Sequence, residues 1–198
     1  MTPEIVQKEL NVSRETMDKF TIYLALLEKW QRSVNLVART TLDIAWQRHI
    51  LDSGQLGRYL PGGCQSILDV GSGAGFPGLV LSIMGDATVH LVESDHKKTV
   101  FLQTVIRELG LSAMVHNDRI EQLPAMAPDV ITARAFAPLG KAIGLLAPHM
   151  ASHTVLLLLK GRNVEEELTE MPDYPIMSAV TYPSWSDPDG GVFQLTQD

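Results

Sequence analysis

The chain has 198 residues, 45% of them hydrophobic and 20% charged, with a formal net charge of −7. That length fits one domain, or one domain with an extension, and the apolar content excludes a disordered chain. No apolar run reaches the roughly 18 residues that a membrane-spanning helix needs, and the single cysteine, Cys64, excludes an internal disulfide and a cysteine metal cage.

Taken in chain order, Glu4 and Glu9 interrupt any apolar leader, so secretion is not expected and a reducing cytoplasm fits. Residues 13–38 read as an amphipathic helix with Ser13 as N-cap. Met17, Phe20, Leu24 and Leu27 recur at helical spacing on it, with Tyr23 and Trp30 beside them. A second helix is expected over 41–57, with Ile44, Leu51 and Leu56 inward. Pro61-Gly62-Gly63 then breaks the chain, and we place there the boundary between a helical extension (1–60) and a core (61–198) of one compact unit.

Beyond the break, short apolar runs alternate with helical patterns. Strands are predicted at Ser66–Val70, Thr88–Val92, Ala113–His116, Val130–Ala133 and Thr154–Leu159. Helices are predicted at Pro77–Met84, His96–Leu109 (apolar face Val100, Phe101, Thr104 and Val105) and Leu139–Leu146. Such alternation means a parallel sheet with right-handed crossovers. Met177–Tyr182 and Val192–Thr196 flank Asp187-Pro188-Asp189-Gly190-Gly191, a hairpin signal. The expected fold is α/β and Rossmann-like, of the class I methyltransferase type: a mostly parallel seven-stranded sheet finished by an antiparallel hairpin.

Charge is uneven. Residues 1–60 carry 8 Lys/Arg against 7 Asp/Glu, residues 61–198 carry 8 against 16, and 163–198 hold 8 acids and no Lys or Arg. A basic stretch around Arg39 and Arg48 fits either phosphate contact or a solvated helix face.

The core segment Asp69-Val70-Gly71-Ser72-Gly73-Ala74-Gly75-Phe76-Pro77-Gly78 admits two ligands. Gly73, Gly75 and Gly78 satisfy the dinucleotide pattern G-x-G-x-x-G. Gly71, Gly73 and Gly75, with Asp69 two residues earlier, satisfy the acidic-x-G-x-G-x-G pattern of methyltransferases. Asp69 would repel a pyrophosphate at the helix N-terminus. S-adenosylmethionine carries an ammonium, a sulfonium and one carboxylate, so an acid there is favourable, and loop N–H groups remain for the carboxylate. Glu93, at the end of the second strand, can accept ribose hydroxyls of either ligand. The loop at Asp118, Ile120 and Glu121 either meets the adenine edge or is a plain helix start. Arg134, at the end of the fourth strand, either holds a ligand oxygen or a phosphate through its planar fork (guanine O6, if the resemblance given below is followed) or pairs with Asp69 or Glu121. His49 and Asp52, one helical turn apart, either cap the cofactor or orient the base, or form a surface pair without a role. Lys160 is placed to contact phosphate or solvent. The six histidines show no metal spacing with carboxylates or Cys64, so no metal is expected.

These residues resemble the bacterial RsmG family, also called GidB (glucose-inhibited division protein B). The glycine segment resembles its signature, and Trp30 to Asn35-Leu36 resembles its W-N-x-x-x-N-L element, with Gln31 departing. Arg48-His49-Ile50-Leu51-Asp52-Ser53 resembles its H-x-x-D-S element. Glu93-Ser94 with Lys97-Lys98 and Phe101-Leu102, Thr132 to Ala137, and Lys160-Gly161 resemble its later motifs. The acidic stretch 163–170, read as a helix, and a C-terminus without the basic finish of many relatives depart from it. The resemblance implies S-adenosylmethionine-dependent methylation of a guanine N7 in 16S rRNA of the small ribosomal subunit, near the decoding region. It also implies cofactor contacts at Gly71, Phe76, Ile120, Glu121 and Arg134. A monomer is expected. Another class I methyltransferase, a nicotinamide-dependent oxidoreductase and an inactive RNA-binding module are the competing readings; the N-terminal motifs disfavour the first and Asp69 the second.

Overall fold

The computed structural model describes residues 1–161 and 177–197, so the acidic stretch at 163–170 lies outside the described residues. The chain opens with a helix absent from the sequence reading, α1 (Pro3–Leu10). It starts on a proline, which suits a first helical turn, and ends on Asn11 in the left-handed conformation. Only Val6 of it is buried, too little apolar signal for periodicity to register.

Helix α2 (Arg14–Gln31) begins where expected, with Ser13 Oγ accepting from the Thr16 amide at 3.2 Å. It stops at Gln31 rather than 38 because the Gln31 side chain serves the following loop. Its Oε1 accepts from the Leu36 and Val37 amides, both at 3.0 Å, and its Nε2 donates to the Val37 carbonyl at 2.8 Å. These bonds satisfy loop amides that continued helix would have paired.

The second expected helix is broken into pieces: a 3₁₀ turn (Arg39–Thr41), a π-helical stretch (Trp46–Leu51), one turn of α3 (Asp52–Gly54) and a 3₁₀ stretch (Gln55–Tyr59). Leu51 and Leu56 point inward, but Ile44 is 47% exposed, contrary to the helical pattern, because it precedes the regular part.

Seven strands follow: β1 (Ser66–Val70), β2 (Thr88–Val92), β3 (Ala113–His116), β4 (Val130–Arg134), β5 (Val155–Lys160), β6 (Met177–Pro183) and β7 (Gly191–Gln197). Their spatial order is β3-β2-β1-β4-β5-β7-β6. The first five are parallel; β7 runs antiparallel between β5 and β6. Val155–Leu159 is buried throughout, as expected for a strand covered on both faces.

One face of the sheet carries α4 (Gly78–Met84) and α5 (His96–Leu109), the other α6 (Leu139–Leu146). Alternation along β1 feeds both cores: Ile67 joins Leu79 and Phe101 on one side, and Leu68 and Val70 join Leu139 and Ile143 on the other. Asp95 caps α5 by accepting from the Lys97 amide at 2.8 Å. The buried face of α5 is Phe101, Leu102, Val105 and Leu109; Val100 and Thr104 are half-buried at its margin. Helix α2 packs over α4 and α5, placing Phe20, Tyr23 and Leu27 in the same apolar cluster as Leu79 and Phe101.

Candidate active site

The loop after β1 is where the chain turns from strand to helix, and three glycines at positive φ make the turn: Gly71 (φ 69°), Gly73 (φ 57°) and Gly75 (φ 92°). They answer different needs. A Cβ on Gly71 would lie 2.8 Å from the Phe136 ring, and one on Gly75 would strike the Leu79 side chain and the Tyr23 hydroxyl. A Cβ on Gly73 would meet only the Gly71 carbonyl, at 3.8 Å. Gly73 therefore faces open space, where a ligand can approach the backbone.

Below Gly73 sits Glu93, which follows β2. Its Oε2 accepts from the Gly73 amide at 2.9 Å and its Oε1 from the Asp95 amide at 2.8 Å. Gly71, Glu93, Ser94, Ile120, Glu121 and Lys141 line a cleft of about 600 Å³, open to solvent. Asp118 also lines it. The Ile120 side chain is buried, and its carbonyl pairs with Nε2 of the buried His149 at 3.1 Å, which fixes the backbone there. The residues expected at ribose and adenine thus line the same cleft.

Asp69 is elsewhere. It is completely buried beneath the loop, on the α4 side, and its Oδ1 accepts from Thr132 Oγ at 2.8 Å. A Cβ on Gly78 would lie 2.8 Å from Asp69 Oδ2, so α4 starts directly against the carboxyl. Asp69 does not line the cleft, and its expected contact with an ammonium is replaced by a position under the loop. Burial pushes its carboxyl up to about 6, against the Thr132 and Ser72 hydrogen bonds that favour the charged form. The expected loop N–H groups are also largely committed. Gly71 and Ser72 amides bond the Val92 carbonyl at 3.0 Å, and those of Gly75 and Phe76 bond the Ser72 carbonyl.

A second cluster centres on Arg134, the last residue of β4. Its Nη1 donates to the Arg48 carbonyl at 3.0 Å and lies 3.5 Å from Asp52 Oδ2; its Nη2 is 3.2 Å from His49 Nδ1. The sequence offered Asp69 or Glu121 as its partner; the structure supplies Asp52. Arginine only donates, so His49 Nδ1 accepts and the imidazole proton sits on Nε2. That nitrogen donates to Thr41 Oγ at 2.9 Å, and Thr41 donates onward to the Ala38 carbonyl at 2.6 Å. Burial, then the charges of Arg134 and Arg48, lower the His49 pKa to about 3, so the ring is neutral. Phe76 lies between these groups: its ring stacks on His49 at 4.7 Å and carries the Arg134 guanidinium at 5.0 Å. Phe76 is itself buried and braces Arg134 rather than lining the cleft.

Asp52 is held from the far end of the chain. Its Oδ1 accepts from Gln55 Nε2 at 3.1 Å, from Ser184 Oγ at 3.2 Å and from Ser186 Oγ in a short hydrogen bond. Gln55, Ser184 and Ser186 were absent from the sequence reading. The hairpin turn was visible, but nothing local to it marks Asp52 as its partner.

Of the expected RNA contacts, Arg39 is exposed. Arg48 is half-buried and faces Asp52 at 3.4 Å and Asp187 at 3.8 Å. Lys160 Nζ donates to the Ala137 carbonyl at 2.7 Å. Arg48, Arg134, Lys160, Asp187 and Gly190 border a second cleft, of about 430 Å³. The segment Arg134-Ala135-Phe136-Ala137 separates it from the first, with Ala135 at φ 51°. Among the described residues, no group of three or more His, Cys, Asp or Glu is arranged to hold a metal ion, and no helix is long and apolar enough to cross a membrane.

A seven-stranded sheet in this order, with a glycine loop after β1 and an acid after β2, defines a class I S-adenosylmethionine-dependent methyltransferase. The same fold occurs in a SAM-dependent methyltransferase from Aquifex aeolicus, with a TM-score of 0.59 at 16% identity over 82% of this chain and 95% of that one. A putative S-adenosyl-L-methionine-dependent methyltransferase from Methanococcus maripaludis gives 0.60 at 12% identity, over 80% and 91%. Within that class the chain belongs to the GidB family, rRNA small subunit methyltransferase G, whose model matches residues 16–187. It is 47% identical over 195 residues to the ribosomal RNA small subunit methyltransferase G of Rhodospirillum rubrum, covering 98% of this chain and 97% of the relative. The protein of the same description from Paramagnetospirillum magneticum is 45% identical, over 100% and 96%.

Proposed function

We propose that this chain transfers the methyl group of S-adenosylmethionine to N7 of one guanine in 16S rRNA of the small ribosomal subunit, acting in the cytoplasm as a monomer. The observation that carries the reading is the family match across residues 16–187.

The first cleft fits the donor. Gly73 leaves room for close backbone approach, and Glu93, anchored by two amides, keeps lone pairs for ribose hydroxyls. Gly71, Ile120 and Glu121 complete that cleft. Asp69 acts from beneath as buried charge rather than as a contact, and Gly75 serves packing. S-adenosylmethionine supplies an activated methyl on a sulfonium. The guanine N7 lone pair forms the new N–CH3 bond as the S–CH3 bond breaks, whose electron pair stays on sulfur. N7 carries no proton, so no general base is required, and the protein's task is positioning and support of the cationic base. Arg134, between the two clefts and held by His49, Phe76 and Asp52, positions donor and acceptor. Arg39 and Arg48 approach RNA phosphate, and Lys160 steadies the Ala137 carbonyl at the junction.

Mapping N7-methylguanine in 16S rRNA from cells with and without the gene tests the proposal. One methylated position should disappear with the gene and return when purified protein and S-adenosylmethionine are added to the deficient small subunits. An unchanged modification pattern overturns it.

A further inference from the structure

The second cleft has a carboxylate that the site described above does not use. Asp187 sits at the tip of the β6–β7 hairpin and borders the cleft with Arg134 and Lys160. We propose that Asp187 reads the Watson–Crick edge of the target guanine, accepting from N1–H and the 2-amino group; this inference rests on the guanine-N7 reading above.

The chemistry of the base selects the residue. With N7 turned toward the donor cleft, guanine presents O6 along one side and two adjacent N–H donors at its far edge. A carboxylate offers two oxygens at matching spacing. Adenine presents a donor beside an acceptor at that edge and cannot satisfy both.

Two carboxylates border the cleft, and only one has capacity left. Asp52 Oδ1 takes three donors, Oδ2 faces Arg48 and Arg134, and the side chain is 4% exposed. The Asp187 side chain is 33% exposed. Its Oδ1 accepts from the Asp189 amide at 3.0 Å, and its nearest cation, Arg48 Nη1, stands 3.8 Å from Oδ2, beyond hydrogen-bond reach. The backbone that carries it is also fixed. The Asp187 amide donates to Ser184 Oγ at 3.3 Å, and its carbonyl accepts from the Gly190 amide at 3.0 Å. Ser184 in turn bonds Asp52, so the hairpin tip and the Arg134 cluster share one scaffold.

Asp187 then does more than select. Methylation at N7 leaves the base cationic and makes N1–H more acidic. Its hydrogen bond to an anionic acceptor strengthens as the methyl moves, which lowers the barrier instead of binding both states equally. Loss of Asp187 should therefore appear in kcat as well as KM.

The test uses small-subunit particles reconstituted with 16S rRNA carrying guanosine or inosine, which lacks the 2-amino group, at the mapped position. The parent should prefer guanosine by about tenfold in kcat/KM, the order expected when one prong of a charge-assisted two-pronged contact is lost. Asp187→Asn should lose a similar factor on guanosine, with kcat reduced, and treat the two bases nearly alike. Asp187→Glu, which keeps the charge but displaces it, should also lose the preference. Binding of S-adenosylmethionine by both variants, measured by calorimetry, should match the parent and report an intact fold. A purely structural role through Arg48 would lower both bases equally and keep their ratio; that result overturns the inference, as would a parent indifferent to the 2-amino group. No transfer to guanosine by the parent would remove the underlying methyltransferase reading, and this one with it.

Discussion

The Arg134 guanidinium faces the Asp52 carboxylate across 3.5 Å, joining the end of β4 to the helical segment that precedes the sheet. Both side chains are largely withdrawn from solvent, at 18% and 4% exposure, so neither charge is well served alone.

Asp52→Ala should destabilise the fold by about 3 kcal/mol, the scale of a buried ion left unpaired. It should also slow methyl transfer, because Arg134 loses its restraint. In a double-mutant cycle the Arg134→Ala effect on methylation should shrink when Asp52 is already absent. Arg134→Lys should rescue poorly, since one ammonium cannot bond the Arg48 carbonyl, His49 and Asp52 together. Additive effects measured by single-turnover kinetics would separate the two residues.

Stability should vary with pH in opposite senses at two buried groups. The Asp69 carboxyl is pushed up to about 6 from 3.8, so its contribution is fully present below about 3.8 and is lost as pH rises through 6. Relative to Asp69→Asn, the cofactor-free parent should lose on the order of 2 kcal/mol between pH 4 and 7. His49 runs the other way. Its pKa falls from 6.5 to about 3, so its contribution is present above 6.5 and is lost as pH falls toward 3. Denaturant unfolding across pH, for parent, Asp69→Asn and His49→Gln, checks both slopes; parallel curves would refute them.

Gly73 and Gly75 should part company on substitution. Gly73→Val should leave a folded protein, weakened by about 1 kcal/mol or more for its positive φ, that no longer binds S-adenosylmethionine. Gly75→Val should fail in folding, because its side chain would enter Leu79 and Tyr23. Thermal melts paired with calorimetry distinguish the two; a Gly73→Val protein that still binds the donor would misplace the ligand.

Arg39 should act on RNA alone. Arg39→Gln should weaken small-subunit binding and lower the salt slope by about one ion. Donor affinity should stay at the parental value. Identical salt slopes for variant and parent would return Arg39 to the solvated surface.

The sheet was legible because strands β1 to β5 are apolar runs punctuated by glycine and helix signals, and the hairpin because its turn is rich in Pro, Asp and Gly. The first cleft was legible because the glycines and the acid follow adjacent parallel strands, β1 and β2, whose C-terminal ends come together in any such sheet. The orientation of Asp69 was not. A strand residue's side depends on which helix covers each face, and motif matching carries no such information. The Asp52–Ser184–Ser186 cluster was also hidden, since it joins segments more than 130 residues apart through serines of ordinary local context. The early end of α2 was missed because Gln31 fits a helix by propensity and leaves it only through loop bonds that form in the fold.

The Tyr23 hydroxyl donates to the Ala74 carbonyl, and its ring stacks on Phe76 at 5.1 Å and Phe101 at 6.4 Å. A residue before the Pro61 break therefore sets the shape of the donor loop after it. In evolutionary terms the two halves should behave as one inheritance unit. A chimera joining the first 60 residues of one relative to the sheet of another would stay functional only where Tyr23, Phe76 and Phe101 travel together, and drift at any one of them should draw compensating change at the other two.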